Sequence, residues 1–351
     1  MRGREPGQSG LFSYVSLEER VPKNHPLRRI RGYVEEALAS MHGDFEGLYS
    51  NMGRPSIPPE RLLKALLLQV LYSIRSERQL VEQLDYNLLF RWFVGLELDD
   101  PVWDATTFTK NRERLLEGEV SFRLFEAVLG QARKKGLLSK EHFTVDGTLI
   151  EAWASHQSFQ PKDSDDDDGS QFHGQRRSNQ THESKTDPDS RLAKKGPGKE
   201  AKLSYQGNIL IENRNGLIVE TELVTCGGRA ETEAGLEMLE RLPGSHRVTV
   251  GADKGYDNAT FVDGCRAIEV TPHVLQSTKG RRSRIDERTT RHVGYQQSVN
   301  ARPRVEGPIG WLKEYGLLRR PKFRGKGRVS WIFTFSAMVF NLVRMNNLEA
   351  A

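Results

Sequence analysis

Three acidic residues stand where a chain presents carboxylates to a ligand. Asp146 closes the β-prone run His142 to Val145 in Phe143-Thr-Val-Asp-Gly-Thr148. The glycine after it lets the backbone turn away and leaves the carboxylate at a sheet's edge. Asp253 ends the run Arg247 to Ala252 in Val248-Thr-Val-Gly-Ala-Asp-Lys-Gly-Tyr256. Open α/β sheets bind ligands just beyond the carboxyl ends of their strands, so two aspartates on adjacent strand ends face one space. Asp257 is a rival to Asp253, and Asp253 is preferred because it directly terminates the strand. The third acid is Glu306, in Arg302-Pro-Arg-Val-Glu-Gly-Pro-Ile-Gly-Trp-Leu-Lys313. On a helix turning about 100° per residue, Arg302, Glu306 and Lys313 fall within roughly 40° of one another. Taken alone, that triplet is a plain ion-paired surface helix. Pro308 would cost a helix interior about 3 kcal/mol, so the helix bends there or begins close to it.

Three carboxylates with no His or Cys beside them in sequence describe a hard, all-oxygen site, which suits Mg²⁺ or Mn²⁺ and argues against zinc. Two such ions about 4 Å apart activate an attacking oxygen on one side of a phosphodiester and stabilise the leaving oxygen on the other. Cys226 and Cys265 are the only cysteines. They are too few for a disulfide framework and lack zinc-site spacing, which fits a reducing cytoplasm. The histidines show no metal-ligand pairing. Gly196-Pro-Gly-Lys199 lacks the glycine spacing and the Ser or Thr of a phosphate loop.

The net charge of +5 over 351 residues is modest, but its location is informative. Residues 275–330 carry 15 Lys or Arg against four acids, so the rest of the chain is net acidic. The excess lies in Lys279-Gly-Arg-Arg-Ser-Arg284 and Arg319-Arg-Pro-Lys-Phe-Arg-Gly-Lys-Gly-Arg328. Two basic runs flanking one predicted helix read as an extended phosphate-binding surface, and the partner as nucleic acid.

The elements that must position these residues fall into two groups. Helical patterns follow Pro58 and Pro59 through Ile74, Ser76 through Leu84, Asp104 through Leu115, and Phe122 through Leu129 to a stop at Gly136. They predict a helical domain over residues 1–136, with DNA binding as its expected role. From residue 137 the pattern changes. A strand ends at Asp146, and Leu203 to Ile211 and Leu217 to Val224 form a hairpin around Asn215-Gly216. Helix Glu231 to Leu242, strand Arg247 to Ala252, helix Ala259 to Ile268 and strand Glu269 to Val274 follow. The order predicts an α/β mixed sheet flanked by helices over 137–346, with 347–351 as a tail. Between His156 and Lys202 only five of 47 residues are apolar. That composition cannot offset its ordering entropy, so an irregular insertion is expected, with Asp165 to Asp168 a solvated acidic tract. Trp331 to Val343 is interrupted by Asn341 and reads as a buried core helix. No stretch has the apolar length to cross a membrane.

The blocks Thr144-Val-Asp-Gly-Thr148, Gly251-Ala-Asp-Lys-Gly-Tyr-Asp257 and Arg302-x3-Glu306-x6-Lys313 resemble the DDE transposases of bacterial insertion sequences, in the group with a Y-x2-R-x3-E-x6-K signature. The resemblance extends to the helices around Arg61 to Arg91 and Thr107 to Leu115, and to Phe323 to Trp331 and Phe340 to Arg344 near the end. It implies a ribonuclease-H-like catalytic fold with Asp146, Asp253 and Glu306 as catalytic ligands of Mg²⁺ or Mn²⁺, two ions in all. Arg302 and Lys313 would hold phosphates, and Tyr256 would stack on or bond to DNA. Lys254, Arg281, Arg282, Arg319, Arg320, Lys322 and Arg324 complete the expected DNA contacts. Such enzymes bind terminal inverted repeats, free a 3′-hydroxyl at each end and use it to attack target DNA, assembled as at least a dimer. The signature's tyrosine falls on Val299, with Tyr295 four residues earlier, so that contact is absent or shifted. A nuclease that stops after hydrolysis and a catalytically silent DNA-binding repressor remain as alternatives.

Overall fold

The computed structural model describes residues 16–47, 56–117, 119–162, 177–196, 198–244, 247–277 and 283–350. Arg281, Arg282 and the Asp165 to Asp168 run lie outside them. The N-terminal part is all helix: α1 (Leu17–Arg20), α2 (Pro26–Ser40), α3 (His42–Glu46), α4 (Pro59–Leu71), α5 (Glu77–Tyr86), α6 (Leu88–Val94), α7 (Ala105–Glu117) and α8 (Val120–Lys134). Local sequence sets their ends. Ser76 Oγ accepts from the Gln79 N–H at 3.4 Å, and Asp104 Oδ1 accepts from the N–H groups of Thr106 and Thr107 at 2.8 and 2.9 Å. Gly136, at φ 67°, turns the chain after α8.

The remainder comprises β1 (His142–Glu151), β2 (Phe159–Pro161), β3 (His182–Ser184), β4 (Arg191–Lys194), β5 (Ala201–Glu212), β6 (Ile218–Thr225), α9 (Ala230–Glu240), β7 (Val248–Ala252), α10 (Ala259–Ala267), β8 (Val270–Val274), α11 (Glu287–Thr290), α12 (Val293–Ala301), α13 (Glu306–Glu314) and α14 (Lys326–Ala350). The main sheet runs β6-β5-β1-β7-β8, with β4 also on β5. Strands β6, β5 and β1 are mutually antiparallel, whereas β1, β7 and β8 run parallel. This is the mixed sheet flanked by helices that the sequence predicts, and the expected hairpin is its β5-β6 unit, closed by Gly216 at φ 73°.

Two apolar clusters sandwich the sheet. Phe143, Val145, Val250, Met238 and Phe261 pack β1 and β7 against α9 and α10. On the other side, Ile150, Tyr205 and Ile209 join α14 and the N-terminal helices in one continuous core. Helix α14 is apolar around most of its circumference, because it lies between the sheet and the N-terminal helices. Asn341 is buried there, donating Nδ2–H to Ile218 O at 2.7 Å and accepting from Ile218 N at 2.9 Å.

Three sequence expectations need correction. Strand β1 does not end at Asp146: it continues through Glu151, paired with β5. Gly147 supplies space, not a turn. A Cβ there would lie 2.5 Å from Glu231 Oε1 and 2.7 Å from Asn208 Oδ1, and would also meet Gln206 Nε2. Arg302 lies outside the helix of Glu306, in a 3₁₀ turn (Arg302–Val305), and α13 starts at Glu306 with Pro308 in its first turn. The described part of the 156–202 segment is ordered: Phe159 is buried in the core and Leu192 packs against it, and polar contacts hold the rest. Asp187, 1% exposed, accepts from Tyr205 Oη at 2.5 Å and Gly325 N at 3.0 Å, and Asn179 pairs both ways with the Leu192 backbone.

Candidate active site

The parallel register brings the two aspartates together. Thr144 pairs with Gly251 at the last rung between β1 and β7. Residues paired in this way point to one face, and so do those two positions further on. Asp146 and Asp253 therefore emerge side by side just past the end of β7. Asp146 is half-buried and accepts from the Gly147 N–H at 2.8 Å. Asp253 accepts from Gly255 N at 2.7 Å and so caps a 3₁₀ turn (Lys254–Tyr256). On the same face lie α12 and the turn at Arg302, which deliver Glu306. One guanidinium links the acids: Arg302 Nη2 is 4.0 Å from Asp253 Oδ2, and Nη1 is 3.8 Å from Glu306 Oε1.

A fourth carboxylate joins them. Glu231, in the first turn of α9, reaches the sheet's end from the other face, with Oε1 3.4 Å from the Tyr256 hydroxyl. Burial pushes the Glu231 carboxyl up to about 7, reinforced by the Asp146 and Asp253 charges. Burial likewise lifts Asp146 to about 6; the Asp253 and Glu306 charges add to this, while the Gly147 N–H and Arg302 oppose it. Sequence alone did not single out Glu231, because an acid in a helix's first turn is ordinary dipole chemistry, as Glu233 illustrates.

Several expected contacts separate from this cluster. Tyr256 is 1% exposed, edge-on to Phe261, and belongs to the core, so it is unavailable to stack on DNA. Asp257 is also buried, and its carboxylate accepts from Ser277 N and Arg284 N at 2.7 and 2.8 Å. It fixes a loop, which leaves Asp253 as the site's second acid. Tyr295 donates to Val274 O at 3.1 Å from a buried position and supplies no shifted contact. Lys313 stands in the last turn of α13, about two turns beyond Glu306. Burial depresses its ammonium pKa, and the charges of Lys195 and Arg319 lower it further. Lys254, Arg319, Arg320, Lys322 and Arg324 are exposed. Trp153, which sequence did not flag, is 37% exposed, with the Arg320 guanidinium 5.1 Å and Lys322 Nζ 5.8 Å from its ring.

The clustered donors are all carboxylate oxygens, the chemistry of a hard divalent ion. Among the described residues, no three His, Cys, Asp or Glu side chains yet enclose a single point. Arg302 is the cation beside Asp253 and Glu306 in this form. The donor set fits a divalent ion by charge and atom type, and an incoming ion would take over the neutralising role of the guanidinium.

A pH dependence follows. Both Asp146 and Glu231 are raised relative to the unfolded chain, so folding favours their protonated forms. Their stabilising contribution is complete below the unfolded carboxylate range and is lost as pH rises through about 6 and 7. The Tm of the metal-free protein is expected to fall between pH 5 and pH 8, and divalent metal to flatten that fall. A metal-free Tm that rises over this interval would contradict the assignment.

Residues 138–342 match the family described as Transposase DDE domain, and residues 15–114 match the Transposase domain (DUF772). The piggyBac transposase synaptic complex with hairpin DNA is similar at 11% identity, covering 93% of this chain and 76% of that one, with a TM-score of 0.41. The Mos1 transposase paired-end complex with left transposon end is similar at 13% identity, covering 88% and 85%, with a TM-score of 0.21. With the first match covering more than half of its length, the chain belongs to the transposase DDE family and is a DNA transposase.

Proposed function

We propose that this transposase binds the terminal inverted repeats of its insertion sequence, cleaves a strand at each end and joins the freed 3′-hydroxyl to target DNA. The observation that carries the reading is the convergence of Asp146, Asp253 and Glu306 from two parallel strand ends and a helix start, with Arg302 touching two of them. Asp146, Asp253 and Glu306 would hold Mg²⁺ or Mn²⁺, two ions in all. When bound, such ions supply Lewis-acid stabilisation to the attacking and leaving oxygens of a phosphodiester.

The chain's own residues do the rest. Arg302, freed from the carboxylates, would hold a phosphate oxygen beside the cleaved bond. Lys313, with Lys195 and Arg319 near it, adds positive charge along the strand's path. In hydrolysis, water oxygen bonds to phosphorus and the 3′ oxygen leaves as a hydroxyl. In joining, that hydroxyl oxygen attacks a target phosphodiester and expels the target's own 3′ oxygen. Each step exchanges one P–O bond for another and needs no redox partner. Pairing two element ends calls for at least a dimer, with the helices of residues 1–136 as the DNA-binding part and the 137–346 region as the catalytic part.

The test incubates the purified protein and Mg²⁺ with labelled DNA spanning an end of its element, together with a target plasmid. Cleaved ends plus labelled plasmid support the proposal. Cleaved ends that never join identify a nuclease, and binding without cleavage identifies a repressor. The basic surface has its own test. If Arg319 and Arg320 contact phosphates, neutralising both should reduce the log-log slope of affinity against salt by about 2. An unchanged slope would remove them from the interface.

A further inference from the structure

Three features of Glu231 go beyond the family's three acids. Its Oε1 and the Asn208 Oδ1 both face the position a Cβ would occupy on Gly147, at 2.5 and 2.7 Å, directly beside Asp146. Asn208 is fully buried and its Oδ1 accepts from no donor, while its Nδ2 is turned toward Gln206 O and Glu222 O. The ladder between β1 and β7 ends at Gly251, so past that rung the β7-side edge of β1 has no neighbouring strand and a side chain from the α9 face can pass round to Asp146 and Asp253. The Gln206 Nε2 amide also borders that position, but Asn208 Oδ1 accepts from no donor and Glu231 Oε1 meets the Tyr256 hydroxyl only at 3.4 Å, so two under-satisfied oxygens lie side by side where a cation would satisfy both. The glycine at 147 keeps this space open, since any side chain there would displace Glu231.

We propose that Glu231 supplies a fourth carboxylate to the divalent-metal site begun by Asp146 and Asp253, so that this transposase holds its ion from both faces of the sheet. This rests on the reading of Asp146 as a metal ligand, and the experiment separates the two. Mn²⁺ binding to the full-length protein without DNA is measured by electron paramagnetic resonance for wild type, Glu231→Gln, Asp146→Asn and, as a control, the exposed Glu237→Gln. Glu231→Gln is close in size and shape, and circular dichroism with a urea midpoint establishes that it is folded.

The expected result is a Mn²⁺ affinity reduced about tenfold or more in Glu231→Gln, with a matching loss of Mn²⁺-induced Tm increase, and no change in Glu237→Gln. Wild-type affinity in Glu231→Gln alongside weakened binding in Asp146→Asn overturns the fourth-ligand role and leaves the three-acid site standing. Wild-type affinity in both variants overturns the metal site itself, and the fourth ligand with it.

Discussion

Asparagine at position 146 is expected to leave DNA binding intact while lowering Mg²⁺-dependent cleavage at least about 10³-fold, or about 4 kcal/mol of barrier. The two side chains have nearly the same shape, so the substitution removes a negative charge without opening a cavity. The charge is held at a cost, since burial and the neighbouring acids already lift its pKa to about 6. Losing it should therefore spare the fold or strengthen it slightly in the absence of metal. Cleavage falls for a different reason: the neutral amide binds a hard cation far more weakly, and the position lies where two strand ends meet. The measurement pairs a gel-shift titration with a cleavage time course on the same DNA. Equal cleavage by the variant and wild type, or equal inertness of both in Mg²⁺, would remove Asp146 from the chemistry.

The second large effect concerns stability. Glu212, fully buried at the end of β5, gathers four backbone donors: Ser139 at 3.3 Å, Arg214 at 3.0 Å, Asn215 at 2.7 Å and Leu217 at 3.2 Å. It therefore knots the β5-β6 turn to the chain entering β1, opposite Phe143 in the register. Alanine would strand these N–H groups and leave a void, a loss of about 4 kcal/mol. Glutamine keeps one carbonyl oxygen and presents donors where the other stood, so it should recover about half. Urea unfolding at constant slope reads both. An alanine variant within about 1 kcal/mol of wild type would show that the turn is held elsewhere.

What could be read from the sequence follows the range of the interactions involved. Helices opened by Ser76 and Asp104, the Asn-Gly hairpin and the strand ending at Asp253 are governed by neighbours within a few residues, and they stand where local chemistry puts them. The pairing of Asp146 with Asp253 was legible too, because both sit at the C-terminal side of short apolar runs. Tyr256 was misread because the 3₁₀ turn capped by Asp253 swings its ring inward onto Phe261, a contact with no counterpart in residue spacing. Glu231 looked like any first-turn acid. Asp187 was hidden because polar composition says nothing of a carboxylate anchored to Tyr205 and Gly325 far along the chain.

Helix α14 gives the fold one more consequence. Arg29 donates to the carbonyl of Asn346 at 2.9 Å, and Lys135 pairs with Glu349 at 2.8 Å, so the final turns of α14 complete the packing of α2 and α8. On the ribosome, α2 and α8 emerge long before the segment that covers them. Synthesis at about 5–20 residues per second leaves their greasy sides waiting, bare or chaperone-held, until α14 itself has been made.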